Sequence, residues 1–536
     1  MKHLKRLLLA LVVLFMTVGC QTAKKVEQVL RIAKDNDVTS LDTNVATDGL
    51  SFEVIKTFTE GLLEYDAAGV IIPGVASKYS ASTDGKVYTF TLRPDAKWSN
   101  GDPVTASDFV YGWRRLCDPK LTTEYSYMAE AIMIKNATAV IKGEKPLTEL
   151  GVKAINATTF EVTLDAAVPY FIQLMTFPIF HPLNEKFVTT KGAAYAKSAD
   201  ALLSNGPWIV TTWTEGTKIR VEKNDKYWNK AKINLQAIEF LFIKDYQTAA
   251  LEFENGNVDI AKISSDLVDR YKSRDYFVTN KMGYTWFIAP NQLNAKFKNA
   301  NLRLALALSF DKAYITDSIL HDGSNVADYI VPIGLATGPD GKDFRDGAAK
   351  FLSYNVTKAQ EYWAKAKTEL GVTTLSLELL VDDAADTKAV SEFLQAEWQK
   401  NLPGLTITIQ VQPKKNRLAL MQKGTFQLGL TRWGPDYADP FTYLGDLFQT
   451  GVNYNYGRFS DPAYDALIKK TAPGGALSTE AKARWTALHD AEKVLLDQAG
   501  ILPAWQSGEA LLINKKVAGY EYHVVGQPSY RNVVKK

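Results

Sequence analysis

In this 536-residue chain the stretch Trp433-Gly434-Pro435-Asp436-Tyr437-Ala438-Asp439-Pro440 sets two aspartates among aromatic and proline residues. An aspartate beside proline can close a turn or cap a helix. Walled off from water, it can instead offer a negative charge to a cationic guest. Residue types alone favour turn and cap roles for Asp436 and Asp439, with the binding role the alternative for Asp436. Other groups of the same kind are Glu124-Tyr125-Ser126-Tyr127, with two phenols two residues apart, and Ala46-Thr47-Asp48-Gly49, a polar loop ahead of a helix expected from about Phe52. Tyr and Trp join a broad apolar face to a polar tip, which suits a ligand cleft as well as a core. The chain has 25 Tyr and 11 Trp, so most of them must serve cores.

Covalent and metal chemistry find no foothold. HExxH, GxSxG, a Walker A loop, GxGxxG and zinc-type Cys or His pairs are all missing from the sequence. The five histidines, at 3, 181, 321, 489 and 523, are far apart in sequence. Asp382 and Asp383 are adjacent, and in an extended run such neighbours point to opposite faces, which makes them a poor glycosidase pair. No enzyme, cofactor or metal is therefore expected.

Lys2, Lys5 and Arg6 precede an apolar run at 7–18 that is too short to span a bilayer and has the length of a secretory leader. Thr17-Val18-Gly19-Cys20 follows and resembles a bacterial lipobox, with Thr17 where Leu is usual. Acylation of Cys20 would tether the chain to a membrane. Removing 1–19 takes the formal charge from +3 to 0, so the mature protein carries no electrostatic footprint for nucleic acid. Cys117 is then the other cysteine, and no intrachain disulfide is possible.

Strands and helices interleave, which predicts a mixed α/β fold. After the Asp84-Gly85 turn, Tyr88, Phe90 and Leu92 alternate with polar residues, as do Phe160, Val162 and Leu164; the two segments could pair. A helix is expected from about Ala106, with Thr105 and Asp108 at capping-box spacing. Residues 358–370 and 389–400 read as helices, and 375–381 and 405–411 as strands. Their order suggests one α/β lobe over roughly 287–505.

Five segments resemble, in order, the extracellular solute-binding family that serves peptide, dipeptide and nickel ABC importers. They are 84–114; Asn205-Gly206-Pro207-Trp208 with Asn224-Asp225-Lys226-Tyr227-Trp228; 301–312; 354–370; and 426–444. Within the family the oligopeptide-binding branch looks most similar, through residues 40–53 and 433–440. The resemblance implies a two-lobed periplasmic-binding-protein-like fold with an extra subdomain in the first lobe. Lobe I would take 29–57, 202–285 and 506–536, the insert 58–201, and lobe II 286–505. Residues 1–19 would be the leader and 20–28 the tether.

What such a carrier must recognise is what all peptides share, their main chain and termini. The resemblance assigns Asp436 to the ligand's α-amino group, and Trp433, Gly434 and Tyr437 to the neighbouring main chain. Thr47, Asp48 and Gly49 would flank the ligand from lobe I, and Tyr125 or Tyr127 would line the cleft. Trp286 and Trp505 fall near the expected crossovers, where cleft, hinge and core packing meet. No residue is assigned to the ligand's C-terminus; Arg432 and Arg417 are candidates. The implied partners are oligopeptides and importer permease subunits, with the protein a monomer held at the extracellular face of the cytoplasmic membrane through Cys20. Another ligand on the same scaffold (dipeptide, nickel, heme or oligosaccharide) and a pheromone-sensing role are alternatives.

Overall fold

The computed structural model describes residues 27–121 and 123–536. Cys20, the leader and most of the tether lie outside them. Among the described residues, no helix is long and apolar enough to cross a membrane.

An eleven-stranded sheet runs through the molecule. Its middle is an antiparallel pair of long strands, Phe277–Pro290 and Leu502–Ile513. Their ladder holds from Phe277–Lys281 against Leu512–Gly508, breaks, and resumes from Thr285 against Gln506. The break leaves Met282, Gly283 and Tyr284 as a bulge, and a bulge bends a strand and frees it locally from its neighbour. Each half of the sheet is built on one side of this break. Ile260–Ile263, Val29–Lys34, Ala237–Phe242, Lys218–Lys223 and Trp208–Thr214 extend it beyond Leu502–Ile513. Leu428–Trp433, Leu375–Asp382 and Leu405–Gln412 extend it beyond Phe277–Pro290.

The second half follows the α/β logic of its sequence. Leu375–Asp382 and Leu405–Gln412 are parallel, and the helix Ala385–Asn401 crosses between them. The helix Val356–Leu370 starts where the Asn355 side chain accepts the Lys358 N–H and stops at Gly371, whose φ of +68° suits glycine. Its core holds Trp363, Trp398 and the stacked pair Trp286 and Trp505, whose centroids are 5.0 Å apart.

A four-stranded antiparallel sheet stands apart from the large one: Ala76–Ala81, Val87–Leu92, Thr159–Thr163 and Val152–Asn156. The two alternating segments do pair, Phe90 opposite Phe160. The helix Ala106–Leu116 packs on this sheet; the Thr105 N–H donates to the Asp108 carboxylate at 2.7 Å.

A buried polar knot ties this layer to the rest. The Glu60 carboxylate accepts the Tyr227 hydroxyl at 2.6 Å, the Trp228 indole N–H at 2.7 Å and Arg531 at 2.6 Å. Asn205 bonds both backbone groups of Glu60, and a Cβ on Gly206 would stand 2.8 Å from the Phe58 carbonyl carbon. The NGPW and NDKYW segments are thus joints where chain from residues 58–64, 204–208, 224–228 and 531 meets.

Candidate functional site

The bulge is the seat of the site. The Tyr443 hydroxyl donates to the Gly283 carbonyl and, at 3.0 Å, to that of Trp433. This fastens the end of Leu428–Trp433 to the bulge. Gly434 lies flat on the Tyr284 ring, where a Cβ would come within 2.2 Å of a ring carbon. The chain then turns at Pro435 and presents Asp436 to a cavity of about 790 Å³.

Asp436 and Asp439 have opposite fates. Asp439 accepts the Phe441 N–H at 2.9 Å and forms a two-pronged pair with Arg484 at 2.7 and 2.8 Å. It is the turn and cap residue. Asp436 faces the cavity, and among the described residues no cation stands within ion-pair distance of it. Its carboxylate accepts one hydroxyl, that of Tyr127, at 3.2 Å. It is half-buried by surface area and lines the cavity. Burial therefore pushes its pKa up to about 6, against which the Tyr127 hydrogen bond acts. Burial and the Asp436 charge push the Tyr127 phenol up in turn, so it remains a donor.

Tyr125 and Tyr127 both line the cavity, their rings 5.8 Å apart. Trp433 forms a wall with Tyr454, at 4.8 Å. Thr47 and Gly49 reach the cavity from the first half. Asp48 does not line it: the helix runs Gly49–Phe58, starting earlier than the sequence suggested, and the Asp48 carboxylate is its N-cap, accepting the Ser51 N–H at 2.9 Å. Tyr437, next to Asp436, points the other way. Its ring stacks on Tyr170 at 4.1 Å and its hydroxyl donates to Asp446 at 2.6 Å. Trp286 and Trp505 sit beneath the bulge in the core rather than on the cavity wall.

The two arginines suggested for the ligand's far end lie elsewhere. Arg417 is buried, donating to the Leu430 carbonyl at 2.7 Å and pairing with Asp382 at 3.6 Å. Arg432 lies over the Tyr284 and Trp286 rings. In their place the cavity floor carries Lys34, Lys262 and Glu509, and its side Tyr520 and Tyr522. The sequence held a faint sign of the floor: Lys262 and Glu509 each interrupt apolar strand runs, the mark of a strand face turned to something polar.

Residues 70–455 match the family described as bacterial extracellular solute-binding proteins, family 5 Middle. The dipeptide-binding protein of Lactococcus lactis subsp. cremoris (strain MG1363) is 36% identical over 95% of this chain and 94% of its own length. The substrate-binding domain of an oligopeptide ABC transporter from Bacillus anthracis superposes with a TM-score of 0.78 at 40% identity, covering 95% of this chain and 99% of that one. Listeria monocytogenes OppA bound to peptide gives 0.77 at 37% identity, over 95% and 99% of the two chains. The chain shares the mixed α/β architecture of these neighbours, which are two-lobed peptide-binding proteins. The chain belongs to the bacterial extracellular solute-binding proteins of family 5.

Proposed function

We propose that this protein is the peptide-binding component of an ABC importer, that its ligands are oligopeptides, and that it is lipid-anchored through Cys20 outside the cell. The observation that carries the reading is Asp436: a desolvated carboxylate with no ion-pair partner among the described residues, turned into a cavity between the two lobes. A peptide's α-ammonium completes it, and a charge-assisted bond is strongest where water is excluded. The extended main chain then lies along Trp433 and Gly434 on one side and Thr47 and Gly49 on the other, and side chains take the remaining space. Relatives described as dipeptide- and oligopeptide-binding support the ligand class. A volume of about 790 Å³ favours the longer ligands. Lobe I then takes 29–57, 202–285 and 506–536, the insert 58–201 and lobe II 286–505, a division supported at its 285/286 boundary by the nearby ladder break between Lys281 and Thr285.

Native mass spectrometry of the purified protein, followed by sequencing of what denaturation releases, tests this. A ladder of mixed peptides is expected. A sugar or a metal as sole guest overturns the peptide reading, and dipeptides alone overturn the oligopeptide one. Intact-mass measurement of membrane-extracted protein should show a diacylglyceryl-modified Cys20 at the N-terminus; an unmodified thiol there removes the anchor.

A further inference from the structure

Trp433, Gly434, Pro435 and Asp436 line the cavity, and Tyr437 does not. Its side chain is buried and held by two partners. The ring lies nearly parallel to that of Tyr170, with centroids 4.1 Å apart and 14° between the planes. The hydroxyl donates to Asp446 at 2.6 Å. Both partners belong to elements that also touch Asp436. The helix Phe441–Phe448 sets Thr442 and Asp446 four residues apart, and so on one face. The Thr442 hydroxyl accepts the Asp436 N–H at 3.3 Å while Asp446 accepts the Tyr437 hydroxyl. Tyr170 in turn donates to the Ala131 carbonyl at 3.4 Å. Ala131 ends the short helix Tyr127–Ala131, whose first residue donates to the Asp436 carboxylate. The contacts close a ring from Asp436 through Tyr127, Ala131, Tyr170 and Tyr437 back to Asp436.

Asp446 differs from its neighbour Asp439. Asp439 is paired with Arg484, whereas Asp446 has the Tyr437 hydroxyl as its hydrogen-bond partner and no ion pair among the described residues. Burial pushes the Asp446 pKa up to about 7; the Tyr437 hydrogen bond opposes the rise, and the charges of Asp436 and Asp439 add to it. A carboxyl desolvated in this way costs stability, and an apolar side chain of similar volume would avoid that cost. What an apolar side chain could not do is accept the Tyr437 hydroxyl.

We infer that Tyr437 and Asp446 are positioning residues: the Tyr437 side chain, fixed by Tyr170 and Asp446, sets the direction in which Asp436 faces the cavity and thereby the site's preference for a free amine. The inference rests on the amine reading of Asp436. Asp436 and Tyr437 share a rigid peptide plane, so a ring that cannot turn restricts the backbone that carries the carboxylate. A carboxylate aimed in advance raises affinity by cutting the ordering cost of binding.

The test is competition titration of the full chain with one alanine-rich oligopeptide, made with a free and with an acetylated N-terminus. The ratio of the two affinities reads amine recognition apart from fold stability, which chemical denaturation measures alongside. Tyr437→Phe keeps the stack and removes the hydroxyl, and the ratio is expected to fall about tenfold, the order of one lost hydrogen bond. Asp446→Leu should lower it as far, and the double variant no further. Asp446→Asn, whose amide oxygen still accepts the hydroxyl, should keep most of it. Should Asp446→Leu fail to fold, the comparison of Tyr437→Phe with Asp446→Asn decides. A wild-type ratio in Tyr437→Phe, even with lowered stability, overturns the inference and leaves Asp436 as the amine site. So does an Asp446→Asn ratio as low as that of Tyr437→Phe. If the wild type binds the free and acetylated peptides alike, the amine reading falls and the positioning role with it.

Discussion

Asp436 costs the empty protein stability, and that cost is what a ligand relieves. Its folded pKa of about 6 lies above the unfolded value near 4. The folded state therefore holds the proton more tightly, and stability falls as pH rises from about 4 through about 6. Asp436→Asn removes the penalty, so at pH 8 the unliganded variant should unfold at higher denaturant than the wild type, by up to about 3 kcal/mol. The gap should close near pH 4. Ligand affinity has the opposite dependence. An ammonium needs the ionised carboxylate, so binding of a free-amine peptide should weaken as pH drops below about 6, approaching tenfold per pH unit. Titrations from pH 8 to pH 5 read this directly, and Asp436→Asn should flatten the profile. The same variant should lose about 2–5 kcal/mol of affinity for free-amine peptides at pH 7.5, the cost of truncating one side of a buried charge pair. N-acetylated peptides should already bind poorly to the wild type; equal affinity for acetylated and free peptides removes Asp436 from amine recognition.

At the scale of elements, local patterns were legible and distant partnerships were not. The alternation at 88–92 and 160–164, the Asp84-Gly85 turn and the helices flanking 375–381 are written in neighbouring residues, and each formed as read. The order of the large sheet was not. Val29–Lys34 pairs with Ala237–Phe242 across some two hundred residues, and no local pattern encodes that choice. The site shows the same divide. Which of two aspartates caps and which is left open depends on Arg484 and Tyr127, which arrive from distant elements. The bulge, by contrast, depends on small residues. Gly434→Ala places a methyl group against the Tyr284 ring and should weaken peptide binding at least about tenfold. A double variant with Tyr284→Ala should recover part of the loss, measured as a coupling in a double-mutant cycle. The Glu60 knot is structural. Arg531→Met leaves Glu60 and Glu64 buried without their shared cation, 2.6 and 3.2 Å away, and should cost about 3 kcal/mol in chemical denaturation with little change in ligand preference.

Across the whole molecule, residues from 58–201 touch residues from 286–505 near the cavity, Tyr127 on Asp436 and Tyr170 on Tyr437 and Phe441. A ligand that contacts both lobes shifts the population toward the arrangement in which both touch it. Peptide should therefore raise the melting temperature with concentration, as expected of any ligand held by the folded state alone. For a peptide bound through both lobes, small-angle scattering should also show a smaller radius of gyration. A rise in melting temperature without compaction would mean that binding does not draw the lobes together.

The stacked indoles of Trp286 and Trp505 lie on the two long strands just beyond the bulge, with Arg432 over the first of them. Both indoles belong to one core on the same side of the bulge and face each other across one ladder, so they travel as a unit when the bulge flexes. Two parallel chromophores 5.0 Å apart couple their transitions, and near-ultraviolet circular dichroism of the pair should therefore hold constant through capture and release; a ligand-induced change would mean that this core, rather than the bulge, gives way.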